Sequence, residues 1–181
     1  MTRKEQLKND FLSLFNSTLE QKVERYLEIT HQKIIGNHHF ANASSECIYL
    51  YSDGYFISVI ILSQSVCEGI MNFIYERNKI SNNVDRPEML KIITDKNIVT
   101  KYLAKASLRI WKSFRNDYHH MNPKVGKLNH ERIARNNIKD LAIIENEIFG
   151  FKLSESGRLK PNNPLYWDGE NNTVSAYLRF L

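Results

Sequence analysis

Residues 54–77 constrain the fold more than any other stretch, because their first half is apolar on nearly every side of a predicted helix. A helix without a polar face has to be buried on all sides. Its longest apolar stretch, residues 55–62 with a single serine, is too short to cross a bilayer. We therefore expect this helix, with Asp53 as its N-cap, at the centre of a bundle.

Most of the remaining chain has helical periodicity as well. Apolar residues recur three or four positions apart, as they do on the buried face of an amphipathic helix. The sequence therefore predicts an all-α fold, an up-and-down helical bundle. The predicted helices are residues 3–34, 54–77, 87–95, 97–121 and 130–149.

Local signals set the predicted ends of these helices. Ser17 and Glu20 fit a capping box that would restart the first helix. Residues 34–46 and 79–87 have the Gly, Asn and Ser content of loops. The dipeptide at 122–123, Asn-Pro, ends the helix that precedes it.

The last 31 residues differ from the rest of the chain in composition. They are rich in Pro, Gly and Asn, and residues 173–180 alternate between apolar and polar side chains. With residues 165–167 they are predicted to form a small hairpin. We expect a helical domain over residues 1–150 and an irregular or β-hairpin appendage over residues 151–181, packed on the bundle.

The cysteines and the N-terminus indicate the compartment. Cys47 and Cys67 form no C-x-x-C pair and lie in apolar or helical surroundings, which favours buried, reduced thiols. The first residues lack the apolar segment of a signal peptide. We expect a soluble, cytoplasmic protein without membrane association.

Positive charge is concentrated in one segment. Residues 101–135 contain nine basic and two acidic side chains, a net charge of +7, whereas the whole chain carries +5. Such a segment suits a polyanion such as RNA. The basic residues that we expect to contact nucleic acid are Lys105, Arg109, Lys112, Lys124 and Lys127.

The stretch FRNDYHHMNP, residues 114–123, lies within this basic segment. On one continuous helix over residues 101–121, Asn116 and His120 would be neighbours, four positions apart. Arg115 and His120 would flank the polar face roughly 140° apart. Imidazoles exchange protons near neutral pH, and a cation beside them suits a phosphodiester.

These residues resemble the R-x(4–6)-H motif of the HEPN family, in which a polar residue commonly follows the arginine. Arg115, Asn116 and His120 match those positions, whereas His119 falls outside the spacing. The resemblance extends loosely over residues 17–149 and implies an all-helical bundle. The spacing alone is weak: Arg25 and His31 share it, but Tyr26, which is not one of the polar residues the family prefers, follows Arg25.

The resemblance implies a metal-independent endoribonuclease that needs no cofactor and dimerises to bring two motifs into one cleft. His120 would take the proton from a ribose 2′-OH, and His119 or a partner imidazole would protonate the leaving oxygen. Arg115 would stabilise the transition state, and Asn116 would orient His120 or contact phosphate. Many members act in toxin–antitoxin or phage-defence systems, so the expected partners are RNA, a second copy and a neutralising antitoxin protein.

Other interpretations of the stretch remain open. Asp117, His119 and His120 could bind a metal with His38, His39 or His130, although adjacent helical histidines point about 100° apart. The histidines could also be a surface pair without a role. A non-catalytic HEPN-like module, or a helical adaptor whose basic face meets an acidic partner, would carry the same sequence. Glu68 lies on a polar stripe of the central helix with Ser65 and Asn72. It is either part of a solvated face or a residue with a functional or partner-pairing role.

Overall fold

The computed structural model describes residues 1–81, 85–169 and 173–179. Over these ranges the protein is an all-α bundle with a small C-terminal appendage, which confirms the predicted fold class. The helices of the described ranges are α1 (Arg3–Leu27), α2 (Ala41–Asp53), α3 (Phe56–Arg77), α4 (Arg86–Asp95), α5 (Lys101–Trp111), α6 (Arg115–His119) and α7 (His130–Ile148).

The apolar helix α3 occupies the centre, as its composition predicts. It packs against α2, α5, α6 and α7, and Val59, Ile60, Ile70 and Ile74 are fully buried. Among the described residues, α3 is also the one helix long and apolar enough to cross a membrane, with a mean hydropathy of 1.6. More than half of that window, 56%, is buried inside the protein, as is typical of a core helix.

The first helix is continuous, so the predicted restart at Ser17 is wrong. The Ser17 hydroxyl donates to the carbonyl of Leu14 within the helix. The capping box lies instead at the N-terminus of α1, between Thr2 and Glu5. The helix ends at Leu27 and not at residue 34, because the chain then enters a short strand, β1 (Ile34–Gly36).

Residues 34–46 were predicted as a loop, and this prediction is wrong. They contain β1 and the first half of α2, where the small side chains of Ala41, Ser44 and Ser45 are buried against the core. Asp53 ends α2 and does not cap α3. Gly54 follows in the left-handed conformation (φ 83°), which terminates α2 in the way that favours glycine.

The predicted helix over residues 97–121 is divided in two. Its beginning lies at Lys101, with the Thr100 side chain as N-cap, and α5 ends at Trp111. Phe114 then has a left-handed backbone (φ 56°), which no α-helix can include, and α6 begins after it. Helices α4 and α7 agree with their predictions to within a residue, with N-caps at Asp85 and Asn129.

The appendage contains a hairpin, but in a different place from the predicted one. Strand β2 (Phe151–Leu153) pairs with β3 (Leu159–Pro161). Strand β4 (Ala176–Leu178) pairs with β1 from the start of the chain. Leu165 and Tyr166 lie in a 3₁₀ turn (Pro164–Tyr166), and Trp167 follows it as the C-cap. Phe180, which the prediction included, lies outside the described residues.

Both cysteines are free and buried, as predicted, and burial raises the pKa of the Cys67 thiol to about 11.

Helix α1 differs from the other long helices because it has no buried residue. Its exposed large apolar side chains are Leu7, Phe11, Leu12, Leu14, Phe15, Leu19, Val23 and Leu27.

A buried ion pair fixes the end of the appendage to the bundle. Arg179 Nη2 lies 2.7 Å from Glu145 Oε1 on α7, and the two side chains are 2% and 3% exposed. The guanidinium also donates to the hydroxyls of Ser44 and Ser45 on α2 and to the carbonyl of Gln32. The charges are therefore both paired and hydrogen-bonded, which buried charges require.

Arg179→Met should lower the free energy of unfolding by about 3–5 kcal/mol, because it leaves the Glu145 carboxylate buried without its cation. Urea unfolding measures this change. Arg158→Met, at an exposed arginine of the same appendage, should change it by less than about 0.5 kcal/mol. Equal stability of the two variants would contradict the anchoring role.

Candidate active site

The motif segment surrounds one open cavity of about 590 Å³ at the end of α5. The cavity brings together all four residues predicted as catalytic, and Lys112 of the predicted nucleic-acid contacts. Its lining is Trp111, Lys112, Phe114, Arg115, Asn116, Asp117, His119 and His120.

Two left-handed residues bracket the motif. Phe114 (φ 56°) precedes Arg115, and Met121 (φ 48°) follows His120. This backbone region costs energy for a residue with a side chain, and such strain is concentrated at functional sites. The two turns separate α6 from its neighbours in the chain, so the motif projects as a short helix of its own.

Polar side chains from two core helices hold the first of these turns. Gln64 Nε2 on α3 donates to the Ser113 carbonyl at 3.0 Å and to its hydroxyl at 2.9 Å. Asn137 Nδ2 on α7 donates to the hydroxyls of Ser113 and Ser63. Gln64 and Asn137 are 4% and 2% exposed. Sequence analysis missed both, although a polar residue at a core position of an apolar helix is a usable signal.

Glu68, also on α3, holds the motif arginine. Its Oε2 accepts from Arg115 Nη2 at 2.7 Å, and its Oε1 lies 3.5 Å from Arg86 Nη2 on α4. One carboxylate therefore fixes two arginines. A guanidinium carries five N–H donors, so Arg115 keeps donors for a second acidic group.

The rest of α6 is anchored through Tyr118 and Asp117. Tyr118 is fully buried, and its hydroxyl is hydrogen-bonded to His130 Nδ1 at 2.9 Å. Burial raises the pKa of this phenol. Asp117 Oδ1 accepts from Asn122 Nδ2, and its Oδ2 lies 3.6 Å from Lys124 Nζ. These contacts leave the opposite side of α6 facing solvent.

That solvent side carries Asn116, His119 and His120. All three are exposed, and the His120 N–H donates to the Asn116 carbonyl at 3.1 Å. Within the described part of the chain, no hydrogen bond holds either imidazole. Both imidazoles are therefore open to a ligand in the motif cavity.

The predicted basic face does not form one surface, because α5 and α6 are separate helices. Lys112 lines the motif cavity, and Lys124 lies 4.9 Å above the Phe114 ring. Lys127 is exposed in a 3₁₀ turn (Pro123–Lys127). Lys105 lies beside Lys101 in a groove between α4 and α5.

Arg109 faces α7 instead of the motif. Its Nε and Nη2 donate to the two oxygens of Asp140 at 2.9 and 2.5 Å. The hydrogen bonds to this carboxylate raise the pKa of Arg109. Because its side chain reaches α7, Arg109 lines a second cleft, between α5 and α7.

The described residues offer no cluster of metal ligands such as the metal interpretation would require. Within the ranges that the structure describes, no three His, Cys, Asp or Glu side chains are grouped so that they could hold an ion. His130 is hydrogen-bonded to Tyr118. His38 contacts the Tyr166 carbonyl at 3.0 Å and Asp168 at 3.5 Å, away from the motif.

The second pair with the motif spacing, Arg25 and His31, has structural contacts. Arg25 donates to the Ser52 carbonyl, and its guanidinium lies over the Phe56 ring. Burial lowers the pKa of His31, and the positive charge of Arg179 lowers it further. An imidazole held neutral in this way is a poor proton donor.

The chain matches no model of a known protein family, no curated protein and no solved structure.

Gln64→Leu and Asn137→Leu should each lower the free energy of unfolding by about 1–3 kcal/mol, because each leaves a buried polar group unpaired. Their effects should be non-additive by at least about 0.5 kcal/mol, because both side chains bind Ser113. A double-mutant cycle in urea measures this coupling.

Ser65→Ala is the control for the cycle. Ser65 is exposed on α3 and donates to the carbonyl of Ile61 in its own helix. It should change stability by less than about 0.5 kcal/mol. Strict additivity of the Gln64 and Asn137 variants would contradict a shared role at the Ser113 turn.

Proposed function

We propose that the protein is a HEPN-type, metal-independent endoribonuclease that cleaves RNA through attack by a ribose 2′-OH. One observation carries the proposal: Arg115, Asn116, His119 and His120 line the same open cavity, with Arg115 held by Glu68. An arginine and two exposed imidazoles are the groups that such a cleavage uses.

The two imidazoles move the protons of the reaction. His120 takes the proton from the 2′-OH, whose oxygen then attacks the adjacent phosphorus. His119, or the His120 of a second copy, protonates the 5′-oxygen as its bond to phosphorus breaks. The products are a 2′,3′-cyclic phosphate and a 5′-OH, and DNA resists because it lacks the nucleophile.

Arg115 stabilises the negative charge that develops on the phosphoryl oxygens. Its bond to Glu68 fixes the guanidinium before substrate binds, so little ordering is needed during the reaction. Glu68 is a positioning residue in this scheme. Asn116, one turn before His120, orients that imidazole or contacts the phosphate.

The proposal includes a homodimer whose two motifs share a cleft. The uncovered apolar side of α1 supports self-association, since its eight large apolar side chains are 41–75% exposed. Their combined exposed area is on the order of the roughly 800 Å² per partner that a standard interface buries. We also propose a toxin or phage-defence role in the cytoplasm, with a neutralising antitoxin protein, as the HEPN resemblance implies.

A second candidate function is a non-catalytic module that binds nucleic acid. It is favoured by the cations near the cavity, Lys112 and Lys124, which suit phosphate contacts without chemistry. Such a module would bind RNA with steep salt dependence and leave it intact.

Wild-type protein should cleave a fluorescent RNA in the presence of EDTA. Arg115→Ala and His120→Ala should each lower the rate by about 100-fold or more, because each removes a group that acts in the transition state. Gel separation of the labelled products measures the rate.

Arg158→Ala and His39→Ala are the matched controls, at an exposed arginine and an exposed histidine away from the motif cavity. Both should cleave at the wild-type rate. Equal cleavage by all five proteins would indicate a contaminating nuclease. Binding of intact RNA, with no cleavage by the wild type, would favour the non-catalytic module.

A further inference from the structure

The cleft between α5 and α7 is a second large cavity, of about 720 Å³, and the proposed chemistry does not use it. Phe114 lines both this cleft and the motif cavity, so the two are neighbours across the left-handed turn. A polymer bound in the cleft could therefore extend into the motif cavity, which Arg115 lines.

The walls of the cleft carry unpaired cations. Arg132 and Lys139 on α7 are exposed, and within the described ranges neither lies within ion-pair distance of a carboxylate, although Lys139 is attracted at longer range by Glu28 at the end of α1. Arg109 adds a third cation, but Asp140 balances it. The cleft therefore keeps a net positive charge of two for an anionic ligand.

An exposed aromatic ring lies among these cations. Tyr102 on α5 is 61% exposed and lines the cleft seven positions before Arg109, on the same side of the helix. An exposed tyrosine alone is ordinary. Together with two exposed cations and the exposed amide of Asn136, it offers a stacking surface, phosphate contacts and a base-edge partner in one cavity.

We propose that the α5–α7 cleft binds a single-stranded segment of the RNA next to the scissile phosphate, with a base stacked on Tyr102 and phosphates on Arg132 and Lys139. This proposal rests on the proposed ribonuclease function and names its substrate class. A paired strand cannot present a base face to Tyr102, so the site selects unpaired RNA.

The test measures binding without cleavage. The probe is an unstructured, fluorescent 2′-O-methyl RNA of about 12 nucleotides, within the site sizes of single-strand binders. It has no free 2′-OH and stays intact. Fluorescence anisotropy gives Kd over a range of salt concentrations.

Tyr102→Ala should raise Kd about tenfold, which corresponds to the loss of one stacked base. Arg132→Gln combined with Lys139→Gln should raise Kd and lower the salt dependence of log K by about 1.4, for two phosphate contacts on a single strand. Tyr55→Ala is the matched aromatic control, since Tyr55 is 60% exposed elsewhere. Lys152→Gln combined with Arg158→Gln is the matched charge control, on and beside the β2–β3 hairpin.

The cleft proposal is overturned if its variants bind within twofold of these controls, if the wild type does not bind the probe, or if Tyr102→Ala weakens a duplex of the same length equally. Cleavage that depends on Arg115 and His120, with normal binding by the cleft variants, would overturn the cleft alone. Weakened binding by the cleft variants, in a protein that cleaves no RNA, would overturn the ribonuclease and support the cleft as a single-strand site.

Discussion

The candidate site depends on two contacts of α3: its hydrogen bonds to Ser113, just before the motif, and its ion pair with the motif arginine, Arg115. The helix is apolar enough to require burial on almost every side, and burial places its few polar groups where their partners are fixed. Gln64 binds the Ser113 turn, and one turn later Glu68 binds Arg115. The same helix therefore organises the core and the cavity. Buried Gln64 would destabilise the protein if it lost its partner, whereas Glu68, 38% exposed, positions Arg115 at the cavity.

This arrangement explains how so short a helix can be held at the protein surface. Helix α6 has five residues and is far too short to be stable by itself. Glu68, the Ser113 network and the buried ring of Tyr118 hold it at one end and along one side. The backbone that carries the exposed imidazoles is thereby positioned by the core. In our proposal this rigidity is what allows Arg115 and His120 to act on the same phosphodiester.

Sequence patterns could predict those helices for which the apolar periodicity and the capping residues indicate the same segment. The apolar run of α3 and the Asn129 cap of α7 are examples, and the all-α class followed from them. The break at Phe114 could not be predicted, since Trp111 to His120 has helical periodicity and contains neither Gly nor Pro. Tertiary hydrogen bonds from Gln64 and Asn137 make the break favourable, and these depend on residues far away in the chain. The start of α2 could not be predicted either, because its small and polar residues have the composition of a loop. Their burial against the core makes them helical.

The residue types of the candidate site could be identified from the sequence, whereas the contacts of those residues could not. Arg115, Asn116 and His120 stand out by spacing and by the polar residue after the arginine. The equal spacing of Arg25 and His31 shows why spacing alone is weak, and only the structure shows that Arg25 binds a backbone carbonyl and His31 is partly buried. The basic face predicted for one continuous helix over residues 101–121 is divided, because α5 ends at Trp111 and Arg109 on α5 binds Asp140 of α7.

The most direct test of the central claim is cleavage of a DNA oligonucleotide that contains one ribonucleotide, in the presence of EDTA. If the 2′-OH is the nucleophile, cleavage occurs only on the 3′ side of that ribonucleotide. Mass spectrometry should then find a 2′,3′-cyclic phosphate on one fragment and a 5′-OH on the other. A 2′-O-methyl group at the same position should abolish the reaction. Cleavage that persists with the methyl group, or that occurs only when Mg²⁺ is added, would contradict the mechanism.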